Sequence, residues 1–151
     1  MCRLLSLAFG FGVVMLLAAV SVCANAEDAF TLDVHRLDSA SRYITLSFKN
    51  VSKADLELLL PVEGGGDCDK YFDIEAVKRD GDPARKSLLY APDFQPYTVL
   101  LKPGGFYNHF IQPEAYLNGA NLDTLKKLRV KYTNKLTGAS VLSDWLILQK
   151  D

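Results

Sequence analysis

The residues that follow position 26 predict an all-β fold of antiparallel sheets packed face to face, with one short helix near 121–127. Two observations carry that prediction. Apolar side chains recur at every second position in short runs, so each run has one apolar face and one wet face, as strands in packed antiparallel sheets do. Between the runs stand clusters of glycine, proline, asparagine and aspartate at the spacing of sandwich turns. A third observation sets the boundary, because the first 26 residues have a different composition and are read separately.

In chain order, Phe30, Leu32 and Val34 alternate with Thr31, Asp33 and His35. Ile44, Leu46 and Phe48 alternate with Thr45, Ser47 and Lys49, and Asn50-Val51-Ser52-Lys53 turns the chain. Leu56, Leu58 and Leu60 form the next run, followed by Gly64-Gly65-Gly66-Asp67. Phe72, Ile74 and Ala76 precede the turn Asp80-Gly81-Asp82-Pro83. Lys102-Pro103-Gly104-Gly105 separates Tyr97–Leu101 from Phe106–Ile111, and the pair reads as a hairpin. Asn121 is placed to cap a helical stretch of at most two turns from Leu122 to Lys127. Asp123 lies near its positive end and two lysines near its negative end. Leu128, Val130 and Tyr132 form a strand, Asn134 to Ser140 turn the chain, and Val141 to Leu148 close the domain with Trp145.

Residues 1–26 read as a secretory signal peptide. Arg3 supplies the positive region, Leu4 to Val22 an uncharged apolar run, and Ala24-Asn25-Ala26 the small-x-small site. The alternatives are a transmembrane anchor, which no basic cluster supports, and a lipid on Cys23, which the bulky Val22 disfavours. Cleavage after Ala26 would leave residues 27–151 as one domain with a net charge of -2, since Arg3 is the only charged residue lost from a chain of net charge -1. That balance argues against a nucleic-acid binder. Cys68 is then the only thiol left, so no internal disulfide and no multi-cysteine zinc site can form.

A resemblance joins these residues. The strand Ile44–Phe48 ending in Asn50-Val51-Ser52, Phe72-x-Ile74 before Asp80-Gly81-x-Pro83, Leu101-x-Pro103-Gly104 and the late Val130-x-Tyr132 together resemble bacterial immunoglobulin-like domains. The pattern, over about residues 30–133, is similar to sandwich domains that precede some secreted metalloendopeptidases and to small intracellular-type proteinase inhibitors. It implies an antiparallel immunoglobulin-like β-sandwich. The chain departs from true immunoglobulin domains in lacking their Cys–Trp–Cys set, and Leu128 stands where a Gly-x-Tyr often introduces the late strand.

Candidate chemistry is sparse. His35 and His109 are far apart in sequence, each in a strand-like run, and both are expected on or near the polar face of their strands. No His-x-His, His-Glu-x-x-His or Gly-x-Ser-x-Gly motif is present. Asp67, Cys68 and Asp69 follow three glycines and make the secondary candidate loop for a partner, but Lys70 and Tyr71 occupy the next places that a calcium loop would need for oxygen ligands. No metal or other cofactor is expected. The aspartates beside Cys68 disfavour its thiolate, leaving a buried thiol or a disulfide-linked dimer as its expected fates. Tyr90, Phe94 and Tyr97, with Pro92 and Pro96 between and beside them, form either a stiff aromatic partner-binding loop or a plug for the open end of the sandwich.

These readings point to a secreted or periplasmic protein that binds another protein and performs no catalysis. It would be an inhibitor or immunity-type protein that occludes an enzyme, or an accessory subunit of an envelope assembly. A small hydrolase or metal-dependent enzyme is the rival class, and it lacks an evident constellation of polar residues. No nucleic acid and no membrane insertion after signal cleavage are expected.

Overall fold

The alternating runs become strands. The computed structural model of the chain describes residues 29–62, 71–86, 96–118 and 120–148. Among these residues nine strands follow in order: β1 Phe30–Arg36, β2 Ile44–Asn50, β3 Leu56–Leu60, β4 Phe72–Lys78, β5 Tyr97–Leu101, β6 Phe106–Ile111, β7 Leu125–Thr133, β8 Ser140–Leu142 and β9 Leu146–Ile147. All named pairings are antiparallel. One sheet has the order β1-β2-β6, another β4-β7-β8 with β9 also on β7, and β3 and β5 form a two-stranded ribbon. Among the described residues no helix is long and apolar enough to cross a membrane.

The inner faces of the two larger sheets meet through aromatic rings. Tyr132 of β7 packs edge-on to Phe48 of β2 at 4.8 Å and to Phe30 of β1 at 5.8 Å. Phe72 of β4 lies 5.4 Å from Tyr132 and stacks on His109 of β6 at 5.5 Å. Burying such rings removes large apolar areas from water, and their tilted contacts add about 0.5–1.5 kcal/mol per pair. The ribbon is tied to this core by side chains. The Tyr132 hydroxyl donates to the Leu59 carbonyl at 2.8 Å, and Asn134 Nδ2 donates to the Glu57 carbonyl at 2.7 Å. Burial raises the Tyr132 phenol well above its ordinary range, so it remains a donor.

Asn50 holds the third tie. Its side chain is fully buried, and Nδ2 donates to the carbonyls of Ala54 at 2.8 Å and Leu101 at 2.9 Å. Oδ1 accepts from the Ser52 N–H and hydroxyl. Asn50-Val51-Ser52 also fits the glycosylation pattern Asn-x-Ser, but a glycan on Nδ2 would break the bonds that close this corner, so the segment acts as a turn.

The expected hairpin between Tyr97–Leu101 and Phe106–Ile111 does not form: β5 pairs with β3, and β6 pairs with β2. The turn itself explains the correction. Gly105 N–H bonds the Lys102 carbonyl at 2.8 Å, Pro103 takes the second position, and Gly104 takes the third with φ +74°. That is the signature of a type II turn, whose twist splays flanking strands instead of pairing them. A Cβ on Gly105 would lie 2.9 Å from the Lys102 carbonyl oxygen. Asn50 then locks this corner to the end of β2 through Asn50 N–H to Gly105 O and Gly104 N–H to Asn50 O, both at 2.9 Å.

The helix expected near 121–127 shrinks to a single 3-10 turn, Leu122–Thr124, capped by Asn121 Oδ1 accepting from Thr124 N–H. β7 begins at Leu125, three residues earlier than Leu128. Both leucines are buried although an odd number of steps separates them. The register shift on β7 resolves this, since Val77 pairs with Lys127 and Lys78 with Leu125, leaving Lys126 as a bulge. The closing strand is likewise interrupted. From the Lys131–Leu142 pair to the Leu128–Leu146 pair, β7 advances three residues and the closing strand four. Within that bulge Ser143 Oγ accepts from Val130 N–H at 3.0 Å.

Candidate functional site

The two histidines end on opposite faces of the β1-β2-β6 sheet. His35 is exposed, paired across the ladder with Thr45. His109 pairs with Leu46, whose side chain faces inward, and is fully buried. The expectation of a strand-face histidine is therefore corrected for His109. Apolar residues occupy both phases of β6, and the unambiguous phase of β2 decides between them. Phe48 pairs with Tyr107 and Ile44 with Ile111, which carries His109 inward and leaves Phe106 73% exposed.

His109 Nδ1 lies 3.1 Å from the Tyr97 hydroxyl, which lies 3.1 Å from the Tyr107 hydroxyl. Nε2 is buried with no hydrogen-bond partner among the described residues. An orphaned N–H is rarer in cores than an orphaned acceptor, so the arrangement favours the tautomer in which Nδ1–H donates to Tyr97. Burial lowers the His109 pKa to about 4, which keeps the ring neutral at neutral pH. Among the described residues no carboxylate or nucleophilic side chain joins this ring, and the cluster acts as core.

Of the proposed aromatic loop, Tyr97 lies on β5, half-buried and packed against the core. Tyr90 and Phe94 lie outside the described residues, as do Asp67, Cys68 and Asp69 and the whole of the predicted signal segment. Among the described residues no group of histidine, cysteine and carboxylates is arranged to hold a metal. A polar cavity of about 270 Å³ opens at one end of the sandwich beside Arg36, Arg42, Glu114 and Asp123. The Arg36 guanidinium is already committed there to the Ser39 and Ser41 carbonyls and to Asp123 Oδ1 at 3.1 Å, so it closes the β1–β2 loop.

The organised surface is the outer face of the β4-β7-β8 sheet. The ladder sets three rows across it: Asp73–Lys131–Leu142, Glu75–Arg129 and Val77–Lys127–Ile147. The β8–β9 bulge fills the open place of the middle row with Trp145. Lys127 Nζ lies 4.4 Å and Arg129 Cζ 4.7 Å from the indole centroid. Such contacts are worth about 0.5–1 kcal/mol at exposed positions. Arg129 also donates twice to Glu75 Oε2, at 2.9 and 2.7 Å, and Lys86 pairs with Asp73. Leu142 and Ile147 remain 46% and 54% exposed. The face is thus an acidic column, a basic column and an apolar column, about 5 Å apart by strand spacing. Sequence reasoning about the strand Leu128, Val130 and Tyr132 passed over it. The signal was present in Lys127, Arg129 and Lys131, the basic residues between those apolar positions.

Compared with family models and with curated proteins, the chain matches none.

Proposed function

We propose that this chain is exported and works by binding another protein, as an inhibitor or immunity-type protein that occludes a secreted or periplasmic enzyme. The observation that carries this is the outer face of β4, β7, β8 and β9, where Trp145 rests on Lys127 and Arg129 between the exposed Leu142 and Ile147. Tryptophan and arginine dominate interface hot spots, and a rim of neighbouring contacts that excludes water is what makes them effective. Export is supported by Arg3, the apolar run Leu4 to Val22 and the Ala24-Asn25-Ala26 site. The immunoglobulin-like reading is supported by the orders β1-β2-β6 and β8-β7-β4, which match the A-B-E and G-F-C pairings of such sandwiches. Tyr90 and Phe94 stay within the proposed partner surface, whereas Tyr97 serves packing.

One observation favours the second reading, a subunit of an envelope assembly. β1 and β8 each have one edge without a ladder partner among the described residues. A groove lined by Phe30, Leu32, Val141 and Leu142 lies between them. Unpaired edges suit strand addition from a neighbouring subunit.

Photo-crosslinking in the producing cell tests both. With p-benzoylphenylalanine replacing Leu142, the expected result is a specific protein adduct, absent when the same group replaces the exposed Asn108 on β6 of the opposite sheet, outside that groove. An adduct to an enzyme that the purified chain inhibits supports occlusion, and an adduct to a non-enzymatic envelope protein supports the subunit reading. The absence of any adduct specific to position 142 would rule out binding through this face.

A further inference from the structure

We infer that the partner meets this face through an acidic segment in extended conformation, with carboxylates at alternate residues. The inference rests on the binding reading above and adds the chemistry of the partner. Lys86, Lys127, Arg129 and Lys131 stand here against Asp73 and Glu75, a local surplus of cations on a chain whose formal net charge is -1. Glu75 takes Arg129 and Asp73 takes Lys86. Lys127 and Lys131 make no ion pair among the described residues, and Lys131 is exposed.

Lys127, Arg129 and Lys131 lie at alternate positions of β7, and alternate strand residues are about 7 Å apart. The downward-facing side chains of a second extended chain have the same repeat, so successive carboxylates can track the column without strain. The apolar column of Leu142, Trp145 and Ile147 borders it and excludes water, which strengthens each ion pair by lowering the local dielectric. On the other flank Asp73 and Glu75 lie one strand away. A planar anionic bilayer would rest on those carboxylates as well as on the lysines, whereas a single segment avoids them. A second copy of this face would set cation against cation.

Trp145 is the only tryptophan of the chain, so its fluorescence reports this face. A displayed library of random 12-residue peptides, selected separately on the purified chain and on a Lys127→Glu/Lys131→Glu variant, reads the partner chemistry directly. Peptides enriched on the wild-type chain should carry Asp or Glu at alternate positions and shift Trp145 emission on binding. They should bind the double variant at least tenfold more weakly, bind Lys131→Gln more weakly than the unmodified chain, and lose affinity as salt rises. If the double variant fails to melt as the parent does, Lys131→Gln alone supplies the comparison. Enrichment without acidic bias overturns the inference, and so does undiminished binding to Lys131→Gln. Tighter binding of an oligothymidylate or of phosphatidylglycerol vesicles than of the selected peptides also overturns it. A specific adduct at position 142 combined with any of these outcomes would leave the binding reading standing and remove only the acidic segment.

Discussion

His109 sits in the core because Tyr107 and Ile111 share its face of β6, and the structure accommodates it with one hydroxyl partner and one stacked ring. That choice has a consequence for stability. Burial holds the ring's pKa at about 4 against 6.5 for a free histidine. Between those values the unfolded chain binds a proton that the folded chain refuses. The stabilisation is therefore complete above about pH 6.5 and declines as pH falls toward 4, by about 3 kcal/mol in all. The thermal midpoint of the unmodified protein should fall across this interval, and the fall should be shallower in His109→Gln, which keeps a polar partner for Tyr97 without the titration. Identical slopes for the two proteins would show that His109 does not titrate as described. Its neighbour in sequence, Phe106, illustrates the same trade from the other side, because the phase that buries His109 leaves a phenylalanine in water.

Strands in this protein are joined less by hairpins than by side chains that bond across the gaps between sheets. Asn50 is the clearest case: it ends β2, caps its own turn and reaches the last carbonyl of β5. Replacing it by alanine removes two donors from the Ala54 and Leu101 carbonyls in a buried corner. The expected loss is about 2 kcal/mol, since each deleted bond removes about 1 kcal/mol, the buried Leu101 carbonyl loses its amide donor, and the exposed Ala54 carbonyl keeps the Ser52 hydroxyl at 2.9 Å. Urea unfolding of Asn50→Ala should show a lower midpoint with an unchanged slope. A loss below about 1 kcal/mol would mean that water replaces the amide and that the corner is held elsewhere. At this same scale the two bulges matter most. The one at Lys126 lets Leu125 and Leu128 share the inner face, and the one after Leu142 carries Trp145 to the outer face.

Across the whole molecule, the apolar start and the sandwich are separate pieces of sequence. Cleavage after Ala26 would remove no described residue. Intact-mass analysis of protein recovered from its native compartment should give a chain that begins at Glu27. Retention of Met1, or a lipid on Cys23, would overturn the assignment to a free mature chain and tether the binding face to a membrane.

The strands were legible in the sequence because period-2 alternation is a local property: Phe30–Val34, Ile44–Phe48, Leu56–Leu60 and Phe72–Ala76 all occupy the faces that the pattern assigns. The cap on Asn121 and the turn at Asn50-Val51-Ser52 were legible for the same reason, since each bonds within three residues. Even the failure of the Pro103-Gly104 hairpin was written locally, in the order of a proline before a glycine. Strand partners, the burial of His109 and the position of Trp145 were not. β6 has two phases of nearly equal apolar content, and only its pairing with β2 chooses between them. The spacing of Leu125 and Leu128 fits a helix as well as a bulged strand, and only β4 decides. The outer face of β7 becomes a surface with three kinds of column once acids from β4 and apolar residues from β8 and β9 are brought beside its lysines. That juxtaposition joins residues about 70 positions apart, because hydrogen-bonded ladders, and no local preference, set which strands lie side by side.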